Sequence, residues 1–414
     1  MKRSFSLPTS VLLASGLGLV AATYGLVRLA FGLFLPDVQR DLGFGTDVGG
    51  AVSSGASVLY CTGAVVGFLL AGRAARWLVV GAALTAGLGA ITTAASATTV
   101  VFGVAAVVAS TGAGLASPAM VQLVAGRLDG AARDRAQAVV NSGTGPGLVA
   151  AGVLALVLLP DWRTAWAAAG VVTLLVGAVV FLAAGRRAPD ARSTPAAAQR
   201  SALQRPAVRR PAVRRPALRA ALPGRSWFGA QVVPVVVALL LGAGSAVVWT
   251  YGRSALVGAG VPSGLTVVAW IALGAGGASV AVTARWTSGL PAARLWLLTT
   301  TLAAVAVLTL GLLPHVVGAA LVACALFGWG YTAATGALIA WTTEIDQDHA
   351  AAGTALLFVV LVAGQALGAA AAGVLVGPAG TATTFTAAAA VVAVAATTPL
   401  VVARRDLRPA APTR

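Results

Sequence analysis

The stretch Ala21-Ala22-Thr23-Tyr24-Gly25-Leu26-Val27-Arg28 lies in the first long apolar run of the chain, and part of it returns in the second half. Thr23-Tyr24-Gly25 is repeated as Thr250-Tyr251-Gly252. Glycine patterns return in the same order: Gly112-x-Gly114 as Gly328-x-Gly330, and the triplet Gly143, Gly147, Gly152 as Gly364, Gly368, Gly373, with the same gaps of four and five residues. These repeats predict two related halves, each built from apolar segments.

The composition places the chain in a membrane. Of its 414 residues, 58% are hydrophobic and 9% are charged, and the mean hydropathy is +0.91. Soluble domains carry about 25% charged residues, so a water-soluble fold of this size is excluded. An apolar chain with an internal repeat is the layout of a secondary transporter, whose halves rock around a shared site.

Apolar runs of about 20 residues are long enough to cross a bilayer. Glycine and alanine are abundant in these runs, which suits close packing of helices in lipid. The sequence therefore predicts an all-α integral membrane protein with twelve transmembrane helices in two pseudo-symmetric bundles of six. The predicted spans are 10–35, 47–71, 77–97, 99–124, 137–159, 165–184, 228–252, 264–284, 295–313, 316–341, 353–376 and 381–403.

The placement of basic residues predicts the orientation. With the N-terminus in the cytoplasm, 24 of the 28 basic residues fall on the inner side, three (Arg40, Arg163 and Arg253) fall outside, and Arg28 lies within a span. The inner gap 342–352 is an exception, because it holds three acids and no basic residue. We expect a multi-pass protein of the bacterial inner membrane with both termini in the cytoplasm. The first span is too long for a cleaved signal peptide, and further spans follow at once.

A basic segment divides the chain into residues 1–184, a linker of residues 185–226, and residues 227–414. Between 186 and 225 it holds eleven arginines and one acid, including a five-residue repeat, Arg-Pro-Ala-Val/Leu-Arg, that begins at Arg205, Arg210 and Arg215. Proline prevents a continuous helix, and like charges extend the segment. We expect a cytoplasmic tether that also contacts anionic lipid headgroups. A membrane-anchored chain whose charge is concentrated in this way does not indicate nucleic-acid binding.

Six spans, a basic linker and six more spans resemble the major facilitator superfamily. Gly143-Thr144-Gly145-Pro146 in the fifth span is similar to the Gly-Pro motif of the family, and Asp161-Trp162-Arg163-Thr164-Ala165-Trp166 is similar to its Trp-Arg-x-x-aromatic turn. Gly72, Arg73 and Arg76 occupy the place of its signature loop between spans two and three. The resemblance implies gating or conformational roles for Gly72, Arg73, Arg76, Gly145 and Pro146.

The chain also departs from the family pattern. The signature loop lacks the aspartate with which the family forms a gating salt bridge, and the fourth span has Val108 and Ala109 near the place of the family's arginine. The stretch from Tyr24 through Arg28 to Pro36 resembles a little-characterised bacterial branch that has an arginine in span one. That narrower resemblance implies no particular substrate.

Arg28 is the first candidate for binding a substrate. A charge inside a membrane is costly and usually marks a substrate path. Arg28 lies seven residues before the predicted end of span one, about 10 Å below the outer edge, so snorkelling to the interface is the alternative. The Thr-Tyr-Gly repeat brings Arg253 to a similar depth in span seven, on a different helix face. The two arginines predict an anionic substrate, although Arg253 is also compatible with a loop at the outer mouth.

No acid lies deep in a predicted span, and Asp37 and Glu344 are the nearest. We expect Asp37 to be a solvated loop acid. Proton relays in transporters commonly use membrane carboxylates or histidines, and cationic substrates favour a buried carboxylate. The sequence therefore disfavours a proton/cationic-drug antiporter and leaves facilitated diffusion, anion exchange, or coupling through protonation of the substrate.

Polar and aromatic side chains inside the spans complete the set of candidates. Alternatives for several of them are helix–helix hydrogen bonding or a position in the interface belt. The predicted substrate-binding residues are Arg28, Tyr24, Arg253, Tyr251, Trp249, Asn141, Gln365, Trp329 and Tyr331.

Nothing in the sequence indicates catalysis. There is no phosphate-binding loop, and the serines lack a nearby base. Cys61 and Cys324 lie singly in apolar stretches, and His315 and His349 fall on opposite sides of the predicted membrane. We therefore expect no enzyme activity, no cofactor and no metal.

The sequence as a whole predicts a monomeric transporter, secondary active or facilitative, in the lipid bilayer. Its substrate is expected to be a small organic solute, anionic rather than cationic, that crosses by rocker-switch alternating access. Multidrug efflux, which the Gly-Pro motif supports, and a non-transporting membrane sensor or scaffold are the alternatives.

Overall fold

The computed structural model describes residues 7–185, 224–287 and 289–406, and the described residues form long helices joined by short turns. Most of the predicted linker 185–226 lies outside the described residues. In the first half the helices are α1 (Thr9–Leu42), α2 and α3 (46–73 and 75–94), α4 (Thr99–Ala125), α5 (Gly130–Leu158) and α6 (Trp162–Gly185). In the second half they are α7 (Arg225–Gly258), α8 (Ser263–Thr287), α9 (Ala292–Leu312), α10 (Val317–Ile345), and α11 and α12 (350–379 and 381–406).

Ten helical stretches of the described residues are long and apolar enough to cross a membrane. Two of these are double helices, because non-helical residues break Thr46–Ala94 at Ala74 and Ala350–Asp406 at Gly380. Counted at these breaks, the described residues hold twelve segments of spanning length, as the sequence predicts. Large apolar side chains such as Phe68, Trp77 and Trp286 are exposed on the outer surface, where lipid would cover them.

Several helices run further than predicted. The first span was expected to end at Leu35, but Pro36 does not stop the helix, and α1 ends only where Gly43 takes a left-handed φ of 70°. Asp37, Arg40 and Asp41 therefore lie on the helix and not in a loop. In the same way α7 continues to Gly258, so Arg253 lies within a helix and not in an outer loop.

The side of the membrane on which α6 ends and α7 begins is here called the linker side, and the opposite side the far side. Glycines allow helices to cross within each half. A Cβ on Gly143 or Gly147 of α5 would meet the backbone of Leu17 or Ala21 of α1, and a Cβ on Gly364 or Gly368 of α11 would meet the backbone of Leu239 or Ala243 of α7.

The third glycine of each triplet faces the other half. A Cβ on Gly152 of α5 would meet Ile271 of α8, and a Cβ on Gly373 of α11 would lie 2.9 Å from the Cα of Gly50 of α2. The glycine triplet is therefore repeated in the sequence because equivalent positions of the two halves make equivalent helix contacts. Its first two glycines pack each half, and its third joins the halves.

The same contacts correct the Thr-Tyr-Gly repeat. Because Ala21 corresponds to Ala243 in these crossings, the structural equivalent of Arg28, seven residues after Ala21, is Thr250. Arg253 lies three residues beyond Thr250, nearer the far side. Arg28 and Arg253 are therefore not at similar depth, and the repeated tripeptide is a local likeness outside the structural register.

Two of the three acids at the turn between α10 and α11 form hydrogen bonds within the described residues. Glu344 accepts a hydrogen bond from the backbone N–H of Ala292 at 3.1 Å, where α9 begins. Asp346 accepts one from the backbone N–H of Asp348 at 2.9 Å and contacts the His349 ring at 2.7 Å. The hydrogen bond to His349 holds the pKa of Asp346 below its usual value. These two acids therefore accept hydrogen bonds from backbone N–H groups at or near the starts of helices, which have no acceptor within the helix.

Candidate functional site

Arg28 lies at the middle of the bundle, on a stretch of α1 that is wound as a π-helix, Ala21–Leu29. π-helical stretches are rare in proteins, and those that occur often lie at functional sites. Since α1 extends to Leu42, Arg28 lies about 21 Å from its far-side end, too deep to snorkel there. Its Nη2 donates hydrogen bonds to Gln365 Oε1 at 3.0 Å and to Ser57 Oγ at 3.4 Å. The guanidinium carbon lies 4.7 Å from the ring centre of Tyr60.

The contacts of Arg28 extend into both halves. Gln365 of α11 donates from Nε2 to the Tyr331 hydroxyl of α10 at 2.9 Å. The ring of Tyr331 packs against Trp249 of α7 with 5.2 Å between centroids. On the other side, the Tyr24 hydroxyl is hydrogen-bonded to the Tyr60 hydroxyl. One connected polar and aromatic cluster therefore joins α1 and α2 to α7, α10 and α11.

A small central cavity of about 30 Å³ lies beside this cluster. Arg28, Ser53, Ser57, Trp249, Thr250 and Gln365 are among the residues that line it. The Ser53 and Thr250 hydroxyls are hydrogen-bonded at 2.8 Å across the two halves. A cavity of this volume admits a group about the size of two water molecules.

The electrostatic character of the cavity is positive. Among the described residues, no carboxylate oxygen lies within 4.0 Å of an Arg28 nitrogen. The partners of the guanidinium are an amide, a hydroxyl and an aromatic ring, which leave its charge uncompensated. A cation in this position favours a negatively charged ligand.

Five of the predicted binding residues therefore come together: Arg28, Tyr24, Trp249, Gln365 and Tyr331. Sequence reasoning missed Tyr60, Ser57, Ser53, Thr250 and Phe327, which contact or line the same place. Tyr60 had a usable signal, because it is one of only four tyrosines in the chain. The hydroxyl residues had none, since serine and threonine inside helices commonly bond to their own backbone.

Two predicted binding residues lie instead at the far-side contact between the halves. Arg253 is 2% exposed and forms a salt bridge with Asp37 of α1. It also donates to Leu33 O at 2.6 Å and to Thr266 Oγ1 at 3.0 Å. The Tyr251 hydroxyl donates to Thr46 O of α2 at 2.6 Å. Asp37, expected to be solvated, is 7% exposed, because α1 runs on past Pro36 and brings it against Arg253.

The other two predicted binding residues lie away from the cluster. Asn141 is exposed near the linker-side end of α5 and accepts a hydrogen bond from Gln137 at 3.2 Å. Trp329 donates from Nε1 to Thr283 Oγ1 of α8 at 2.8 Å. Neither has a described contact with Arg28 or Gln365.

The residues expected to act in gating lie in two places. A Cβ on Gly145 would lie 2.7 Å from the backbone N of Ala278, so Gly145 is at the crossing of α5 and α8 between the halves. Pro146 lines an apolar groove beside that crossing. Gly72 and Arg73 are exposed at the linker side. Arg76 donates to Phe181 O at 3.1 Å and lies 3.8 Å over its ring, which holds the α2–α3 break against α6.

Two six-helix halves of an integral membrane protein that meet around a central polar cluster define a membrane transporter. The sequence matches the sequence model of the Major Facilitator Superfamily over residues 17–356. Because this match covers most of the chain, the protein belongs to the Major Facilitator Superfamily. The predicted family, fold class and transporter class are thereby confirmed.

Solved structures show the same fold. A bacterial homologue of the human lysosomal transporter Spinster, in an inward-facing and unoccupied conformation, aligns with a TM-score of 0.73 at 14% identity over 98% of this chain and 100% of that chain. The nucleoside transporter NupG aligns with a TM-score of 0.71 at 12% identity over 96% and 99%. A POT family transporter in complex with 5-aminolevulinic acid aligns with a TM-score of 0.74 at 11% identity over 97% and 96%. A comparison with curated protein sequences gives no match.

Proposed function

We propose that this protein carries a small organic anion across the bacterial inner membrane by alternating access, without catalysing a reaction. Both termini and the basic linker lie in the cytoplasm in this proposal, so the far side is the outer side. The observation that carries the anion preference is Arg28, a cation at mid-membrane between the two halves, which has no carboxylate oxygen within 4.0 Å among the described residues.

The contact between Arg28 and Gln365 supports a link between binding and movement. Arg28 belongs to the first half and Gln365 to the second, so their hydrogen bond of 3.0 Å ties the halves together at mid-membrane. An anion on the guanidinium competes for the same donor and replaces a neutral acceptor with a charged one. A ligand shifts a conformational equilibrium only through such a difference in interaction between the two states.

The far-side contacts support a state that is closed to the outside. The Asp37–Arg253 salt bridge joins α1 to α7. Thr46 Oγ1 donates to Gly373 O at 3.2 Å, and Tyr251 donates to Thr46 O, which joins α2 to α11 and α7. We therefore assign Arg253 and Tyr251 to closure of the outer side, and Arg28, Tyr24, Trp249, Gln365 and Tyr331 to substrate binding.

The two bundles, the turn between α2 and α3 and the linker have roles outside the binding site. Residues 1–184 and 227–414 act as the two moving bundles, with Gly145 and Pro146 at a crossing between them. Gly72, Arg73 and Arg76 hold the linker-side turn of the first bundle. The protein works as a monomer, and the linker 185–226 rests on anionic lipid headgroups and binds no nucleic acid.

Reconstitution in liposomes tests the proposal. Purified protein is assayed with a panel of labelled organic anions, with and without a pH gradient. We expect uptake of at least one anion, a loss of about tenfold or more in Arg28→Gln, and a smaller loss in Arg28→Lys, which keeps the charge but loses the planar donor set. Arg294→Gln, an exposed arginine on the linker side, is the matched control. Wild-type rates in both Arg28 variants would exclude an anion site at Arg28.

A further inference from the structure

Three buried N–H groups around the central cavity lack an acceptor within the described residues. They are Nε of Arg28, Nε1 of Trp249 and Nε1 of Trp166, and all three side chains line the cavity. Buried donors in native proteins are nearly always paired, so each unpaired donor needs an explanation. Each of the three nitrogens has almost no accessible surface, so a ligand oxygen reaches it only when the side chains around the cavity shift. A ligand with more than one acceptor oxygen would then provide acceptors for these donors.

The charge of the site limits the ligand to one negative charge. Arg28 is the cation of the cavity, and the other lining residues that carry polar groups are serine, threonine, glutamine and tryptophan. One carboxylate neutralises one guanidinium, with charge-assisted hydrogen bonds. A second carboxylate would remain buried in the membrane without a partner, at a high cost in free energy.

Three aromatic residues line the cavity, Phe31, Trp166 and Trp249, and two more rings pack behind Trp249. The Trp249 ring contacts Phe327 at 5.3 Å and Tyr331 at 5.2 Å between centroids, both edge-on, and Phe327 stacks on Tyr331 at 5.9 Å. Aromatic rings pack favourably against further rings in offset or edge-on arrangements. Beside the donors, the site therefore offers aromatic surface against which a ring can pack.

We infer that the substrate is an aromatic monocarboxylate. Its carboxylate accepts from Arg28, Trp249 and Trp166 once the cavity widens, and its ring packs beside Trp249 and Phe31, which line the cavity. This inference rests on the proposed function and specifies its substrate class. The cavity of about 30 Å³ holds a carboxylate-sized group, so the ring is accommodated as the halves move apart around it.

Binding to the full-length protein in lipid nanodiscs tests the inference. Labelled benzoate is the probe, and unlabelled benzoate, indole-3-acetate, cyclohexanecarboxylate, acetate and phthalate are the competitors. We expect the two aromatic monocarboxylates to compete best. Cyclohexanecarboxylate, which has the same charge but no aromatic ring, should compete about threefold more weakly, and acetate and phthalate about tenfold more weakly or worse.

Variants at Trp249 separate its N–H from its ring. Trp249→Phe keeps an aromatic side chain and removes the donor, and should weaken benzoate binding about fivefold, in line with one lost hydrogen bond. Trp249→Leu removes both and should weaken it further and abolish the preference for benzoate over cyclohexanecarboxylate. Trp329→Phe, whose indole is bonded to Thr283 outside the cavity, is the control and should bind as wild type.

The outcomes distinguish this inference from the proposed function. Acetate or phthalate competing as well as benzoate, or no binding of either aromatic monocarboxylate, overturns the aromatic monocarboxylate. Arg28-dependent uptake of another anion in liposomes would then still support the proposed function. Benzoate binding that is unchanged in Arg28→Gln overturns both.

Discussion

Asp37 and Arg253 are two residues whose roles depend on each other. Both are buried, with side-chain exposures of 7% and 1%, and they belong to opposite halves. Asp37 also contacts the exposed Arg40 at 3.3 Å, while Arg253 has Thr266 and Leu33 O as further partners. A buried ion pair is worth little against an apolar replacement, but an unpaired buried charge is strongly destabilising.

Single substitutions of this pair should therefore cost more than the double substitution. We expect Asp37→Leu and Arg253→Met each to destabilise the protein by about 3 kcal/mol, and the double variant to recover most of that loss. The measurement is the thermal midpoint in detergent for a double-mutant cycle. Arg40→Met, which removes the exposed partner of Asp37 and leaves Arg253 in place, is the control and should change the midpoint little. Additive losses in the cycle would show that the two charges do not depend on each other.

For single residues, the sequence predicts which charged side chains are important better than it predicts which residues they contact. Arg28 stands out because arginine is rare inside apolar spans, and five of the nine predicted binding residues meet around or beside it. Asp37 was misjudged because Pro36 suggested a helix end that Gly43 provides seven residues later. The sequence indicates Trp166 only as part of a turn motif, since nothing about an aromatic residue in an apolar span shows that it lines a cavity.

At the scale of helices, glycine determines how closely the spans approach. Gly368 of α11 packs against the backbone of Ala243, and Gly147 of α5 packs against the backbone of Ala21. Backbone atoms cannot turn aside as side chains can, so a methyl group at either position must push two helices apart. The glycine repeat in the sequence predicted close helix packing at these positions, but it did not show which helices meet there.

Alanine at Gly368 or Gly147 should therefore destabilise the bundle. We expect each substitution to cost about 1–3 kcal/mol, as overpacking does in other tight interiors, and to lower the thermal midpoint in detergent. Gly377→Ala on α11 is the matched control, because the nearest atom to its Cβ would be 3.9 Å away. An unchanged midpoint in Gly368→Ala and Gly147→Ala would show that the crossings are looser than described.

At the scale of the whole molecule, composition predicted the membrane, the apolar runs predicted the span number, and the repeats and the basic linker predicted the two halves. The register between the halves was not, because Thr23-Tyr24-Gly25 and Thr250-Tyr251-Gly252 match as letters while the glycine contacts align Arg28 with Thr250. Identical short strings arise easily in chains rich in a few residue types. Backbone contacts align the two halves more reliably, because they depend on where a residue lies in the helix and not on its type.

The structure shows the halves joined on the far side, and alternating access requires them to part there once in each cycle. A covalent link across this contact should therefore stop transport. Thr46 of α2 and Gly377 of α11 suit such a link, because a Cβ at Gly377 would lie 3.9 Å from Thr46 Oγ1. That distance is compatible with the short reach of a disulfide.

We expect Thr46→Cys/Gly377→Cys, in a background with Cys61 and Cys324 replaced by alanine, to form a disulfide under mild oxidation and lose anion uptake in liposomes. A reductant should restore the rate, because the link and not the substitutions holds the outer side shut. Each single cysteine variant is the control and should keep its rate under oxidation. Cross-linked protein that transports as fast as the reduced form would show that the far side stays closed throughout the cycle, and alternating access between these two halves would then be wrong.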